Sequence, residues 1–192
     1  SGDGAAGVAG AVEHARELRA DPERIGVGGD SAGATTSAVV AGRAARAGVR
    51  GPDFQLLLYP GADRGKGPAR RSRELFSDGF FLTRAQIDWF EGHFTAPGDD
   101  GNSLFDEDLA GQGAVYLVSA GFDPLRDEGE AYGDALRAAG NEVAMRRFEG
   151  QIHGFINFAG VSRTAREALI EIAGSTRVML ARTADRETAP LR

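Results

Sequence analysis

The sequence contains no cysteine, which excludes a disulfide scaffold and any Cys-ligated zinc site while leaving the redox compartment open. No apolar run approaches the ~20 residues of a membrane span. Basic residues are in deficit, 22 Lys+Arg against 28 Asp+Glu, for a formal charge of −6. That balance argues against a nucleic-acid or anionic-membrane partner, since both require clustered Lys and Arg. No repeat of 20–50 residues and no long low-complexity tract divides the chain. The sequence opens at Ser1 without a signal or transit pattern; a cytoplasmic protein is the expectation, with a targeting signal left open.

What is present fits a globular domain. A length of 192 residues corresponds to one domain, and 42% apolar with 26% charged residues supports a packed core. Four short apolar stretches bounded by turn signals predict buried strands at Arg24–Gly28, Phe54–Tyr59, Ala114–Ala120 and Glu142–Phe148. Helical patterns flank them at Ala5–Arg19, Ala32–Ala47, Pro124–Ala139 and Thr164–Arg182, the last with Ala165, Leu169, Ile172 and Met179 on one stripe. Glycines 2, 4, 7 and 10 weaken the first turns of the first helix, each by up to ~1 kcal/mol. Helices alternating with strands predict an α/β fold, a mostly parallel sheet with helices on both faces.

The longest interruption, around 62–112, reads as a cap-like insertion. Within it Thr83 and Gln86 form a capping box, and Leu82 with Ile87 is spaced as a hydrophobic staple. Ile87, Phe90 and Phe94 continue that apolar face beside Trp89. A lid over a pocket and an ordinary surface helix are both compatible with this pattern.

The segment richest in chemistry is Gly29-Asp30-Ser31-Ala32-Gly33, a match to G-x-S-x-G. In a strand-to-helix turn this pattern lifts a serine above a sheet, in a strained backbone conformation that crowds the residues two before and two after it. The following helix aims its first N–H groups at the same point. With nine serines and 28 glycines, chance supplies ~0.2 matches, so the bare pattern is weak and its context carries the argument. An apolar strand runs in and a helix runs out. An inert serine in a glycine-rich turn, or a phosphate loop, are the rival readings. Asp30 stands where a Walker loop needs Lys, and no G-x-G-x-x-G occurs within 24–34.

A serine hydroxyl needs a base, and the chain has three histidines. His14 lies in the first helix, before the serine, and His93 sits beside Trp89. His153 follows the fourth strand, in Glu149-Gly-Gln-Ile-His-Gly-Phe155, where α/β proteins place functional groups. An acid is expected between serine and histidine at a strand end. Asp123 satisfies this, although Asp before Pro124 equally suits a helix cap. Asp127 and Glu128 are alternatives that read as helix-start acids. Serine, aspartate and histidine thus each follow a strand, in that order.

These residues resemble α/β-hydrolases of the hormone-sensitive-lipase group, which includes bacterial carboxylesterases. Gly29–Gly33 is similar to the group's nucleophile motif, Asp123-Pro-Leu-Arg-Asp-Glu-Gly129 to its acid motif, and Ile152-His-Gly-Phe155 to its histidine motif. Softer matches at 21–25, Leu57-Leu-Tyr-Pro60, 81–83 and 88–90 are collinear with them. The resemblance implies a Ser31, Asp123, His153 triad, an oxyanion donor at the Ala32 N–H, and a small-molecule ester as substrate, with no cofactor and no metal. It also implies that the upstream H-G-G-G segment of the group is missing, so that the chain corresponds to a carboxyl-terminal portion. The expectations are then weak or no turnover, and a first strand left as an open edge with Ile25 and Val27 uncovered. The strand at 142–148 should form the opposite edge, a candidate homodimer surface. An amidase or formamidase using the same residues, and a non-catalytic ligand-binding protein of the same fold, are the alternatives.

Overall fold

The computed structural model describes residues 2–22, 24–64, 66–93 and 103–187. Four strands form one sheet in the order β1-β2-β3-β4, every neighbouring pair parallel. They are β1 (Gly26–Asp30), β2 (Phe54–Leu58), β3 (Ala114–Phe122) and β4 (Val143–Ile152). Each crossover carries helix: α1 (Gly2–Glu13) leads into β1, and α2 (Ala32–Ala47) joins β1 to β2. Between β2 and β3 lie α3 (Arg71–Phe76), α4 (Arg84–His93) and a 3-10 turn at Leu104–Asp106. After β3 come α5 (Arg126–Ala138) and, beyond β4, a 3-10 turn at Phe155–Phe158 and α6 (Arg163–Glu187).

The period-2 alternation of the strands divides the core into two layers. Phe54, Leu58, Tyr116, Val118, Ala120 and Phe148 point to one face and pack on Ala165, Ala168, Ile172 and Met179 of α6. Leu57, Val115 and Leu117 point to the other and meet Ala34, Ala38 and Val39 of α2 with Tyr132 and Leu136 of α5. Helices therefore cover both faces, as a parallel sheet requires.

Several element boundaries depart from the sequence expectation, each for a local reason. β1 lies two residues later than predicted, because Gly29 and Asp30 continue the ladder against Leu57 and Leu58. Ile25 instead donates its N–H to the Asp53 carboxylate before the strand begins. α1 stops at Glu13 rather than Arg19. The Ala15 N–H reaches only three residues back, to the Val12 carbonyl at 3.4 Å, and the chain goes on in turns as far as Arg19, whose left-handed φ of 56° ends them. α2 has the expected bounds, closed by Gly48 at φ 62°, whose N–H satisfies the Ala44 and Ala45 carbonyls. α5 starts two residues after Pro124, since Asp123 first accepts the Leu125 N–H. Ile25 and Val27 are half-buried rather than bare, flanked by Val8 and Ala11 of α1 and Val40 of α2. On α6, Leu169 leaves the expected buried stripe and lines a groove with Leu56, Ala173 and Leu180.

In the segment between β2 and β3, the capping box forms: the Thr83 N–H donates to the Gln86 amide oxygen and the Gln86 N–H to Thr83 Oγ1. Leu82 and Ile87 are buried together against Leu125. The face does not continue to Phe90, which is 52% exposed, and Phe94 lies outside the described residues. His93 stacks on Trp89 with ring centroids 4.3 Å apart, on the surface and remote from any chemistry.

Buried ions tie this segment to α5. Glu128, 1% exposed, accepts the Ala62 and Asp63 N–H groups on one oxygen and pairs with Arg73 of α3 at 3.0 Å on the other. Arg73 also holds Glu91 of α4 at 2.9 Å. Asp127 accepts the Ser72 N–H, and Ser72 Oγ donates to the Pro124 carbonyl. The two acids that read as dipole partners at the start of α5 are thus the anchors of α3.

Burial pushes the Glu128 carboxyl up to about 7, with Arg73 pulling the other way. Asp127 and Glu130 lie below their ordinary range: burial would raise both, but Ser72 and Arg126 for one, Arg147 and Ser119 for the other, outweigh it. Between its ordinary 4.5 and about 7, Glu128 holds a proton in the folded protein that the unfolded chain has released. Its contribution is therefore complete below that window and lost as pH rises through it. Asp127 and Glu130 act only below their ordinary range and do not cancel it. The melting temperature is expected to fall as pH rises from about 4.5 to about 7 and to level off above that, and a Glu128→Gln variant should flatten the slope, which thermal unfolding across that range will test.

Candidate active site

Strand β1 ends at Asp30 and α2 starts at Ala32, so Ser31 alone makes the turn. Its φ of 51° and ψ of −118° are rare for a residue with a side chain. The Ser31 N–H donates to the Leu58 carbonyl at 2.9 Å, fixing the turn to the end of β2. A Cβ on Gly29 would stand 2.5 Å from the carbonyl carbon of Gly33, so no larger residue fits there. The expected mutual crowding is one-sided: a Cβ on Gly33 would meet nothing within 4 Å among the described residues. The Ala32 N–H opens α2 and, by position, has no partner within the helix.

His153 is delivered by an irregularity in β4. Ala120 pairs with Phe148, yet Phe122 pairs with Ile152, so three residues of β4 oppose the single Gly121 of β3. This bulge carries the strand past its predicted end at Phe148 and turns its tip toward Asp123. Gly121 makes it sterically feasible, since a Cβ there would lie 2.1 Å from the Glu149 carbonyl oxygen. After His153 the chain turns at Gly154, φ 72°, and Phe155 anchors the loop in the core against Tyr59 and Phe148.

Three predicted residues therefore meet. His153 Nε2 lies 2.9 Å from Ser31 Oγ, and Nδ1 lies 2.8 Å from Asp123 Oδ2. Asp123 is fully buried and His153 is 5% exposed. An ionised carboxylate only accepts, so Nδ1 is the donor, and Nε2 of the neutral ring is left to accept the serine proton. Asp123 also answers to its other reading: Oδ1 accepts the Leu125 N–H at 2.8 Å. One carboxylate caps the approach to α5 with one oxygen and orients the imidazole with the other. His14, His93, Asp127 and Glu128 lie elsewhere in these contacts.

Two further side chains escaped the sequence reading. Tyr59, buried with a left-handed φ of 41°, sets its ring edge against His153 at 4.9 Å between centroids. Its hydroxyl donates to Asp30 Oδ2 at 3.2 Å. Burial, then the charges of Asp30 and Asp123, push the phenol far above its ordinary value, so it remains a donor at any pH the protein meets. The signal was Tyr59 within Leu57-Leu-Tyr-Pro60, but nothing local said which way the ring would face. Phe81, φ 76° and 58% exposed, lies 5.3 Å from Phe158 and over the Cα of Gly154. No cluster of three metal-ligating side chains occurs among the described residues.

Comparison with known proteins identifies the fold that carries this arrangement. The family described as alpha/beta hydrolase fold matches residues 1–157. Carboxylic ester hydrolase LipN of Mycobacterium tuberculosis is 40% identical over 183 residues, covering 90% of this chain and 48% of that protein. Esterase LipI of the same organism is 36% identical over 176 residues, covering 88% and 54%. Among solved structures, a hyperthermophilic esterase from the archaeon Pyrobaculum calidifontis superposes with a TM-score of 0.83 at 33% identity, over 92% of this chain and 60% of that one. A thermostable esterase from Pseudomonas putida gives 0.82 at 34%, over 92% and 57%. The chain spans about half the length of the curated relatives it matches.

The bulge makes a specific demand on one of its two glycines. Gly121→Ala drives a Cβ into a backbone carbonyl and is expected to destabilise by about 2–4 kcal/mol. Gly150→Ala, in the same bulge but with open space around it, should cost less than about 1 kcal/mol. Urea unfolding of the two variants tests the difference.

Proposed function

The chain belongs to the alpha/beta hydrolase fold family, among relatives that are carboxylic ester hydrolases, and from that premise we propose that it cleaves small carboxylic esters with Ser31 as nucleophile, His153 as base and Asp123 as the acid that orients it. The observation that carries the reading is the unbroken hydrogen-bonded line from Ser31 Oγ through both nitrogens of His153 to Asp123.

The chemistry follows from these positions. As Ser31 Oγ bonds to the ester carbonyl carbon, its proton passes to His153 Nε2 and the carbonyl electron pair moves onto oxygen. Asp123 stabilises the imidazolium, made effective by its complete burial. Collapse of the tetrahedral species expels the alcohol, which takes the proton from Nε2 and leaves an acyl group on Ser31. Water, deprotonated by the same nitrogen, then attacks the acyl carbon, and Ser31 departs with its proton while the acid is released. The Ala32 N–H and the α2 amino terminus face the developing oxyanion. The half-exposed rings of Phe81 and Phe158 beside Gly154 support an apolar acyl group.

The sequence contains no H-G-G-G segment, so Ala32 is the one oxyanion donor assigned. Because each such donor is worth ~10²–10³ in rate, the 192-residue chain is proposed to turn over weakly.

A fluorophosphonate tests the reading without a turnover assay, since it needs an activated serine. Ser31 is expected to take the adduct, located by peptide mass, and to lose it in heat-denatured protein. His153→Ala should slow labelling by at least ~10³-fold and Asp123→Asn by ~10²–10⁴-fold. Labelling at another serine, or at equal rates in these variants, would refute the assignment.

A further inference from the structure

The side chains just described leave one polar arrangement without a role in the chemistry. Asp30 is the residue before Ser31, and a single carboxylate oxygen, Oδ2, accepts two hydrogen bonds. One comes from the Tyr59 hydroxyl at 3.2 Å and the other from Asn157 Nδ2 at 3.4 Å. Asn157 also donates to the Gly154 carbonyl at 3.2 Å. These three residues come from the end of β1, the residue after β2 and the 3-10 turn after His153. They span the two segments that carry Ser31 and His153, which are 122 residues apart in sequence.

We propose that Asp30 and Tyr59, with Asn157 as a weaker third member, are positioning residues that lock the Ser31 turn to the His153 loop. This goes beyond the function proposed above but rests on it for its catalytic consequence. The argument is geometric. Ser31 Oγ and His153 Nε2 must stay within a few tenths of an ångström of hydrogen-bonding distance, and a displacement of ~1 Å can cost ~10²-fold in rate. Neither segment is held by regular structure at the point that matters. Ser31 sits in a conformation outside the sheet and helix regions, and His153 follows the last residue of β4. The main-chain bond from Ser31 to Leu58 fixes one end of the turn. The next residue, Tyr59, is tied to β3 by its own N–H, which donates to the Val118 carbonyl at 2.7 Å. Its ring packs edge-on to His153, and its hydroxyl reaches Asp30. One side chain thereby touches both halves of the site. The bond is to a charged acceptor and half-buried, which makes it stronger than a neutral surface pair. Asn157 is exposed and its bond is long, so it adds little by itself.

Tyr59→Phe removes only the hydroxyl and keeps the ring against His153. Asp30→Ala removes the acceptor. Asp30→Asn keeps one carbonyl oxygen, and because both bonds fall on one oxygen, an amide oxygen can receive them. The maximal rate of Ser31 inactivation by a fluorophosphonate is expected to fall at least tenfold in Tyr59→Phe and Asp30→Ala. The concentration giving half-maximal inactivation should stay within twofold, as expected for misplacement rather than lost binding. Asp30→Asn should recover most of the rate, and the Tyr59→Phe/Asp30→Ala double variant should be no slower than the worse single one. A second readout needs no reactivity: amide hydrogen exchange should rise in both the 29–32 and 152–157 segments in Tyr59→Phe and Asp30→Ala, but not in Asp30→Asn. Exchange that rises in neither segment, rates within twofold of the parent, or an Asp30→Asn as slow as Asp30→Ala would each overturn the proposal. A parent protein that takes no probe at Ser31 overturns the function proposed above, and the exchange data then decide the lock on their own.

Discussion

Parallel pairing in register is the constraint from which the rest of the molecule follows. Asp30 lies opposite Leu58, and Leu58 opposite Val118, so three chain segments remote in sequence end side by side. Because the strands are parallel, all their carboxyl ends emerge along one edge of the sheet, and every connection must return outside it as a crossover. The residues that follow the strands, Ser31, Tyr59, Asp123 and His153, are therefore neighbours by topology before any side-chain contact is made. Side chains then only refine a proximity that the sheet has already supplied. β3 runs past the end of β2 to Phe122, still paired there with Ile152 of β4, which sets Asp123 farther out than Ser31 and leaves room for an imidazole between them.

Much of this was readable without coordinates because the responsible signals are local. Apolar runs between turn residues marked four strands, glycine and proline marked helix ends, and the Gly29–Gly33 pattern identified the turn. Chain order and position after a strand picked out Asp123 and His153. What was not readable depends on pairs distant in sequence. The β4 bulge exists because Gly121 faces the Glu149 carbonyl, a relation that neither residue reveals alone. Phe90 has the right spacing to be buried, but α4 presents only Ile87 inward, because Leu125 is where the staple closes. Glu128 looks like a surface acid at a helix start and becomes a buried anchor only when Arg73 and the Ala62 N–H arrive from another segment.

Asp123 illustrates why two readings of one residue need not compete. A carboxylate has two oxygens and about four acceptor directions. The capping demand uses Oδ1, and the imidazole uses Oδ2. The cap restrains the carboxylate so that its second oxygen is aimed at Nδ1, which reduces the conformational freedom lost when the histidine bonds. A side chain bound at only one oxygen would have to be held by packing alone.

Backbone strain follows the same geography. Five non-glycine residues among those described have positive φ, and three of them, Ser31, Tyr59 and Phe81, surround His153 or its loop. Each such conformation costs on the order of 1–3 kcal/mol and persists only where its surroundings over-determine it. For Ser31 and Tyr59 the compensation is visible, since their N–H groups extend the ladder to Leu58 and Val118. Both are thus held by the sheet they have just left. Phe81 has no strand behind it. It is the central residue of a γ-turn in which the Leu82 N–H meets the Phe80 carbonyl, the strained hand of that turn. What holds Phe81 there is its neighbour, Leu82, buried with Ile87 and Leu125, and Glu128's grip on α3 from the same helix start. The segment between β2 and β3 therefore bears on the site through the anchoring of one strained ring.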